Sequence, residues 1–391
     1  MRFYHLAGAK TPRLLREMRE SKVSETGAAI MAPKGQTLVF KVCDLKNAAA
    51  LILKQECLAK GGEAALAEDA LRLGAEQPQT ALLLATPAQY RRICAGLSRQ
   101  AFGLPALAEG LLAALAALEA AVPPLAYRAR YLQGELDFSR PLLMGIVNRT
   151  PDSFYDGGRY WEPAAAAEHV FALAEAGADI IDLGGASSRP GHTQVSVEEE
   201  LARLLPVLEL VAPSLQTPIS VDTQQAEVAR AALEAGAAIL NDTGGLPAEM
   251  AALAATSGTP IVLMHQGGGG GRLVEQVTDF FRAGMERGQA AGIRREQFIL
   301  DPGFGFGKEA AENLLLLRHL ADLQVLNRPL LVGISNKRFI GAATGSALHE
   351  REAANLAASA WALGQGASIL RSHEVKELRQ AALMIEAIRN G

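Results

Sequence analysis

The feature that most constrains this chain is a repeating beat. From Pro141 to Gly391, eight short apolar runs with β character recur: PLLMGIV, DIIDLG, PISVD, AAILND, PIVLMH, FILDPG, PLLVGIS and ASILRSH. Helix-like stretches lie between them, among them AAAAEHVFALAEAGA, EVARAALEAGA and NLAASAWALGQGA. These three end in Ala-Gly-Ala or Gln-Gly-Ala just before the next apolar run, where a glycine suits a helix C-cap. Eight strands alternating with helices over about 250 residues predict a (β/α)8 TIM barrel of the α/β class. A doubly wound open sheet is the competitor. It normally has fewer strands, and no G-x-G-x-x-G follows the first run.

Each apolar run finishes in a chemically capable side chain. The first gives Asn148, the third Asp222, the fourth Asn241 and the fifth His265. The sixth gives Asp301, the seventh Ser335 and Lys337, and the eighth Arg371 and His373. A lone Asp or Asn after a strand is usually a turn former. Scattered surface polarity would not repeat in phase with strand ends, however, and in a barrel these positions share the C-terminal mouth. Asp222, Asn241, Asp301 and Lys337 offer acceptors, donors and one cation, which suits a flat heterocycle with a hydrogen-bonding edge. Asn148, Arg371 and His373 fit an anion pocket, because Arg grips phosphate through parallel hydrogen bonds and barrels often bind phosphate near their last strands. His373 also fits a satisfied structural histidine.

Before Pro141 the texture differs. GAAIMAP and QTLVFKVCDL read as strands flanking the turn PKGQ, TALLLAT as a further strand, and NAAALILKQECLAK and LAEGLLAALAALEAA as helices. This predicts a smaller N-terminal α/β domain over residues 1–120, a linker over 121–140, and the barrel over 141–391. The N-terminal part carries no recognisable catalytic motif. The three cysteines, Cys43, Cys57 and Cys94, all lie there. Their odd number and wide spacing argue against a disulfide framework or a zinc site and suit reduced thiols in a cytoplasmic protein. A net charge of −4 gives no general reason to bind nucleic acid or an anionic membrane. No apolar stretch reaches the ~18 residues of a membrane span, and the start lacks a signal-peptide core.

Three loops stand out. NRTPDSFYDGG after the first strand and GGASSRPGHTQ after the second combine Gly, Pro and Ser with charge, as active-site lids often do. HQGGGGGR after the fifth reads as a flap or, more simply, as slack. DPGFGFGKE is not a phosphate loop: its spacing is wrong for G-x-x-x-x-G-K-[ST], and Glu309 follows the lysine.

MGIVNRTPDSFYDGG, DIIDLGGASSRPG, SVDTQQAEVARAALEAGA, LDPGFGFGK, VGISNKRFIG and ILRSHEV together resemble the dihydropteroate synthases of folate biosynthesis. The motifs stand in that family's order from Pro141 to Gly391, and the first and fourth are highly specific. The resemblance implies a transferase that joins p-aminobenzoate to 6-hydroxymethyl-7,8-dihydropterin diphosphate with release of pyrophosphate, assisted by Mg²⁺, in a homodimer. It also implies that Asp222, Asn241, Asp301 and Lys337 hold the pterin, with Asp222, Asp301 and Lys337 in catalysis. By the same resemblance Asn148 binds magnesium and diphosphate, Arg371 and His373 bind diphosphate, and Ser188, Arg189, Pro190, Phe306 and Lys337 border the p-aminobenzoate pocket.

The chain departs from the family's usual pattern at several positions. Arg149 stands for Val, Ala186 for Glu, Ser188 for Thr, Asn336 for the Arg of Ser-Arg-Lys, and Glu374 for the Asp after the final His. Asn336 removes a cation that Arg149 could return if the two approach. The alternative reading is a pterin-binding methyltransferase acting with a corrinoid protein, which resembles the same barrel and can carry Asn after Ser in the GISN segment. Arg371, His373 and the TPDSF loop, which an enzyme without a diphosphate substrate does not need, stand against it.

Overall fold

The computed structural model describes residues 11–71, 78–149, 162–186 and 195–390. The chain divides into two compact units, Met1–Glu119 and Ala120–Gly391.

In the first unit β1 (Leu38–Leu45), β2 (Glu63–Ala65) and β3 (Gln79–Ala85) form an antiparallel sheet in the order β1-β3-β2. Leu83 of β3 joins residues of helices Asn47–Ala59, Pro87–Leu97 and Leu104–Glu119 in one core with Leu53, Cys57, Ile93, Leu97, Leu104 and Leu115. Tyr90 is buried there with its hydroxyl near the carbonyls of Leu38 (3.0 Å) and Leu83 (2.8 Å), where it ties its helix to β1 and β3. All three cysteines are free, and burial pushes the Cys57 thiol up to about 12, so it is an unreactive core residue. One expected strand is absent. GAAIMAP lies in helix Glu25–Met31 followed by a 3₁₀ turn, Ala32–Gly35. Ser24 caps that helix by accepting the Gly27 N–H, and Glu25 sits in its first turn. Capping and alanine content outweigh the short Ile-Met β signal.

The second unit opens with a hairpin, β4 (Leu125–Arg128) and β5 (Gln133–Leu136), inside the stretch 121–140 that reads as a linker in sequence. Its Leu125 and Leu136 pack with Leu142, Met144, Ile180, Ile239, Val262, Ile299, Leu331 and Ile369. These are inward-facing residues from the early part of barrel strands, so the hairpin closes the barrel interior at the end opposite the mouth. Alternation of Leu125 and Tyr127 with exposed Ala126 and Arg128 is the signal for the strand.

Eight parallel strands follow: β6 (Leu142–Asn148), β7 (Ile180–Gly184), β8 (Ile219–Asp222), β9 (Ile239–Asp242), β10 (Ile261–Met264), β11 (Phe298–Asp301), β12 (Leu331–Val332) and β13 (Ile369–Ser372). Their order is β11-β10-β9-β8-β7-β6-β13-β12, and a parallel bridge between Leu300 and Leu330 joins β11 to the start of β12 and closes the ring. This is the TIM barrel expected from the beat. Outward residues such as Leu143, Val147, Leu183, Val221 and Leu263 form one continuous core with the surrounding helices. The glycine caps are present. Gly236 ends its helix at φ 118°, a left-handed conformation that carries a steric cost for residues with a Cβ, and the next N–H, of Ala237, returns to Ala232 O. Among the described residues no helix is long and apolar enough to cross a membrane.

Candidate active site

Register places the site residues side by side. Asn148 pairs with Gly184, Gly184 with Asp222, and Asp222 with Asn241, so four neighbouring strands end at one level. Strand alternation turns Asn148, Asp222, Asn241, Asp301 and Arg371 inward. Gly184 leaves room between its neighbours: a Cβ there would lie 3.2 Å from Asn148 Oδ1 and 3.5 Å from Asp222 Cβ.

At the centre stands Arg371, with side-chain exposure of only 17%. Its Nε donates to Asp182 Oδ2 at 2.6 Å and its Nη2 to Asp222 Oδ2 at 2.9 Å. Asp182, fully buried in the middle of β7, also accepts from Asn241 Nδ2 at 3.1 and 3.3 Å. Arg371 and Asn241 are therefore joined through Asp182, and the two groups that the sequence divides into a heterocycle set and an anion set form one network. Burial raises the Asp222 carboxyl above the usual range; Arg371 and Lys337 pull it back, while Asp182 and Glu200 add to the rise. Burial works against charge on Arg371, and Asp182 and Asp222 more than offset this. Among the described residues Asn241 Oδ1 is buried with no hydrogen-bond partner, an acceptor held ready in the mouth.

Asp301 ends β11, and its Oδ1 accepts the Gly303 N–H at 2.7 Å. Burial raises this carboxyl too, opposed by that hydrogen bond and by Lys337, Arg371 and Lys308. Gly303 has φ 69°, and a Cβ there would lie 1.9 Å from the His265 carbonyl oxygen, so the turn needs glycine. The loop is fastened by buried Lys308, whose Nζ donates to Gly303 O at 2.8 Å and also reaches His265 O and Phe306 O. Lys308 is thus a structural cation rather than a phosphate ligand. Phe306 is buried, with Lys337 Nζ 4.3 Å from its ring centroid. Ser335 Oγ meets His373 Nδ1 at 3.2 Å.

Not every strand-end residue serves the mouth. His265 stacks edge-on to Phe280 with ring centroids 5.1 Å apart, and burial lowers its pKa to about 4, so it stays neutral. The pentaglycine stretch is held rather than slack: Glu312 accepts the N–H groups of Gly269 and Gly270, and Gly267 N–H donates to Phe306 O. Arg149 does not replace the cation lost at Asn336. It is buried against helix Val197–Val211, whose carbonyls it meets. Asn336 adopts φ 59°, which Asn tolerates well, and exchanges hydrogen bonds with Asn355. Arg351 donates to the carbonyls of Asn336 and Lys337. Ser188, Arg189 and Pro190 lie outside the described residues. Among the described residues no cluster of three or more His, Cys, Asp or Glu side chains could hold a metal.

A family model for pterin binding enzymes matches residues 144–373, which span the first barrel strand to the last. The chain belongs to the pterin-binding enzyme family. The dihydropteroate synthase of Escherichia coli (strain K12) is 44% identical over 269 residues, covering 66% of this chain and 95% of that protein. A probable bifunctional folylpolyglutamate synthase/dihydropteroate synthase of Halobacterium salinarum is 40% identical over 392 residues, covering 96% of this chain and 46% of that protein. That match runs through the N-terminal unit as well as the barrel. The solved structure of Xanthomonas albilineans dihydropteroate synthase with 4-aminobenzoic acid covers 69% of this chain and 100% of its own, at 40% identity and a TM-score of 0.64. A Mycobacterium tuberculosis relative, 42% identical over 265 residues (64% of this chain and 83% of its own), is named inactive dihydropteroate synthase 2.

Proposed function

We propose that this barrel is a dihydropteroate synthase, condensing 6-hydroxymethyl-7,8-dihydropterin diphosphate with p-aminobenzoate to 7,8-dihydropteroate and pyrophosphate. The observation that carries this reading is the buried network of Arg371 with Asp182, Asp222 and, through Asp182, Asn241. A bare pocket for a neutral ring does not need a buried guanidinium at its centre, whereas a ring bearing a diphosphate does.

Each side chain then has a task. Asn241 Oδ1 accepts an N–H of the pterin. Asp301, with Oδ1 held by Gly303, presents Oδ2 to the ring's amino-amide edge. Asp222 takes another ring N–H beside Arg371. Lys337 lies against Phe306, where it faces both the ring and the aryl amine. Arg371, His373 and Asn148 take the diphosphate, and Ser188, Arg189, Pro190 and Phe306 border the p-aminobenzoate. As the C–O bond to the diphosphate breaks, positive charge grows on the pterin methylene and delocalises into the ring. The carboxylates of Asp301 and Asp222 stabilise that charge in a site of low dielectric. The neutral amine attacks the methylene and then loses its proton, so no side-chain nucleophile is required. Magnesium fits the donors present: Asn148 offers one hard amide oxygen at the rim next to Asp222, and Mg²⁺ usually takes few protein ligands, filling its shell with water and phosphate oxygens. When bound it would neutralise charge on the departing diphosphate.

Purified full-length protein with Mg²⁺ and both substrates is expected to release pyrophosphate and form dihydropteroate, read by a coupled pyrophosphate assay and by product mass. Folded protein that yields no product, yet passes a methyl group from a methyl-tetrahydropterin to a corrinoid protein, would instead establish the methyltransferase. Among the described residues no contact in the site favours that alternative, and the Asn336 that suggested it is accounted for by its backbone conformation and Asn355.

We also propose a homodimer through helices Glu352–Gly364 and Val375–Asn390, on which Trp361, Leu383, Met384 and Ile388 are exposed. Light scattering is expected to give twice the 41.3 kDa chain mass, and Leu383→Glu with Ile388→Glu to give the monomer. Monomeric wild-type protein at micromolar concentration would remove this assignment.

A further inference from the structure

Arg149 directly follows Asn148, and strand alternation sends the two side chains opposite ways, Asn148 to the mouth and Arg149 outward. Arg149 Nη1 donates to the carbonyls of Ala202, at 3.4 Å, and Arg203 in helix Val197–Val211. A mid-helix carbonyl is normally met by the N–H four residues on. For Ala202 that residue is Pro206, which has no N–H. The proline thus leaves an acceptor inside the helix, and a buried guanidinium takes it. The same helix answers from the other side: Arg203 Nη1 donates to Gly185 O at 2.8 Å, one residue beyond β7. Between the two strands, Arg149 N–H donates to Gly184 O at 2.8 Å. The C-terminal ends of β6 and β7 are therefore fastened to each other and, through two buried arginines, to one helix.

We propose that Arg149 is a positioning residue which, using the carbonyl freed by Pro206, fixes the β6 terminus and so aims Asn148 at the magnesium-bound diphosphate. This deepens the assignment of Asn148 made above and rests on it. Asp222, Asn241 and Asp301 lie on β8, β9 and β11 and are held by contacts of their own, so loss of the tether spares recognition of the pterin ring. A merely structural arginine would behave differently. Its task would be to serve the helix carbonyls, and an N–H restored at position 206 would relieve it at Ala202.

The test uses full-length protein carrying Arg149→Met, Pro206→Ala or both, titrated with magnesium pyrophosphate and separately with a free pterin, alongside thermal unfolding. Arg149→Met is expected to weaken magnesium pyrophosphate binding by about 10- to 100-fold, the usual cost of removing a group that orients a metal ligand. Pterin affinity should stay within about twofold, and Tm should fall. Pro206→Ala alone should leave both affinities unchanged, because Arg149 keeps its hydrogen bond to the Arg203 carbonyl. In the double variant Tm should recover, because Ala202 regains a helical donor, while pyrophosphate affinity should not. Recovery of both would make Arg149 structural only and overturn the proposal. Unchanged pyrophosphate binding, or equal loss of both ligands, in Arg149→Met would do the same. If Arg149→Met fails to fold, Arg149→Lys, which keeps the charge but not the planar fork, should give a magnesium pyrophosphate affinity between those of the wild type and the double variant, and an affinity equal to the wild type's would overturn the proposal. Wild-type protein that binds neither ligand would overturn the proposal together with the function beneath it, a pattern distinct from the others.

Discussion

Arg371→Ala is expected to lower kcat/KM for the dihydropterin diphosphate by about a thousandfold or more, the range seen when a guanidinium that meets a phosphoryl group is removed. It should also destabilise the protein, because Asp182 and Asp222 would be left buried without the cation they share. Removing one partner of a buried ion pair costs about 3–5 kcal/mol. The pH dependence follows from which protonation state the fold prefers. In the variant Asp222 loses the guanidinium that opposes the burial-driven rise of its pKa, so its folded value lies still further above the unfolded value of about 4. A group with a raised folded pKa contributes fully at pH below its unfolded value and loses that contribution as pH rises through the folded one. The stability gap between variant and wild type should therefore change little from pH 5 until pH nears the wild-type Asp222 value of about 7, and widen above it, in chemical denaturation followed from pH 5 to 8. Both pterin and diphosphate should bind more weakly, since Asp222, which meets the ring, is one of the two carboxylates Arg371 neutralises. Loss confined to diphosphate, with normal pterin affinity and a pH-independent stability change, would show that the network is not a single unit.

That result matters because the sequence suggests a cleaner division than the molecule has. Residue types and strand phase are enough to gather Asn148, Asp222, Asn241, Asp301, Lys337, Arg371 and His373 at one mouth, because a barrel converts the period of its strands into proximity. They do not reveal that Arg371 reaches across to β7 and β8. Asp182 escapes notice for the same reason. It sits mid-strand in DIIDLG rather than at the strand end, and a period of two that points it inward is hard to see in a run flanked by apolar residues. A charged residue in the middle of an otherwise apolar barrel strand is the signal that could have found it.

Other features are hidden for local reasons. Arg149 reads as a charge near the site, yet alternation from Asn148 turns it to the opposite face, and one of its partners is a carbonyl exposed by a proline fifty-seven residues away. Asp242 stands beside Asn241, but its carboxylate accepts the N–H groups of Gly244 and Leu246, so it shapes a turn and never enters the mouth. The hairpin in 121–140 is short and polar on one face, and its two leucines acquire meaning only once eight strands surround them. The barrel is thus legible because its signal repeats eight times, whereas single contacts across the chain have no local period to betray them.

Asp301→Asn separates charge from shape at the reacting end of the pterin. The amide keeps an oxygen for the Gly303 N–H, so the turn and the fold should survive with a stability change within about 1 kcal/mol. What disappears is a buried negative charge facing Lys337 and Arg371. If that charge stabilises the cation that forms as diphosphate leaves, kcat should fall by about 10²- to 10³-fold. Binding of the neutral pterin should weaken far less, because an amide can still accept one N–H. Burial raises the Asp301 carboxyl, so the active, ionised form accumulates as pH rises, and the wild type should lose kcat on the acid side. The contribution of Asp301 to that acid limb should vanish in the variant, leaving whatever Asp222 imposes. Single-turnover pyrophosphate release with saturating substrates, compared across pH, reads this directly. A variant with unchanged kcat and a large rise in KM would assign Asp301 to holding the ring and remove it from the chemical step.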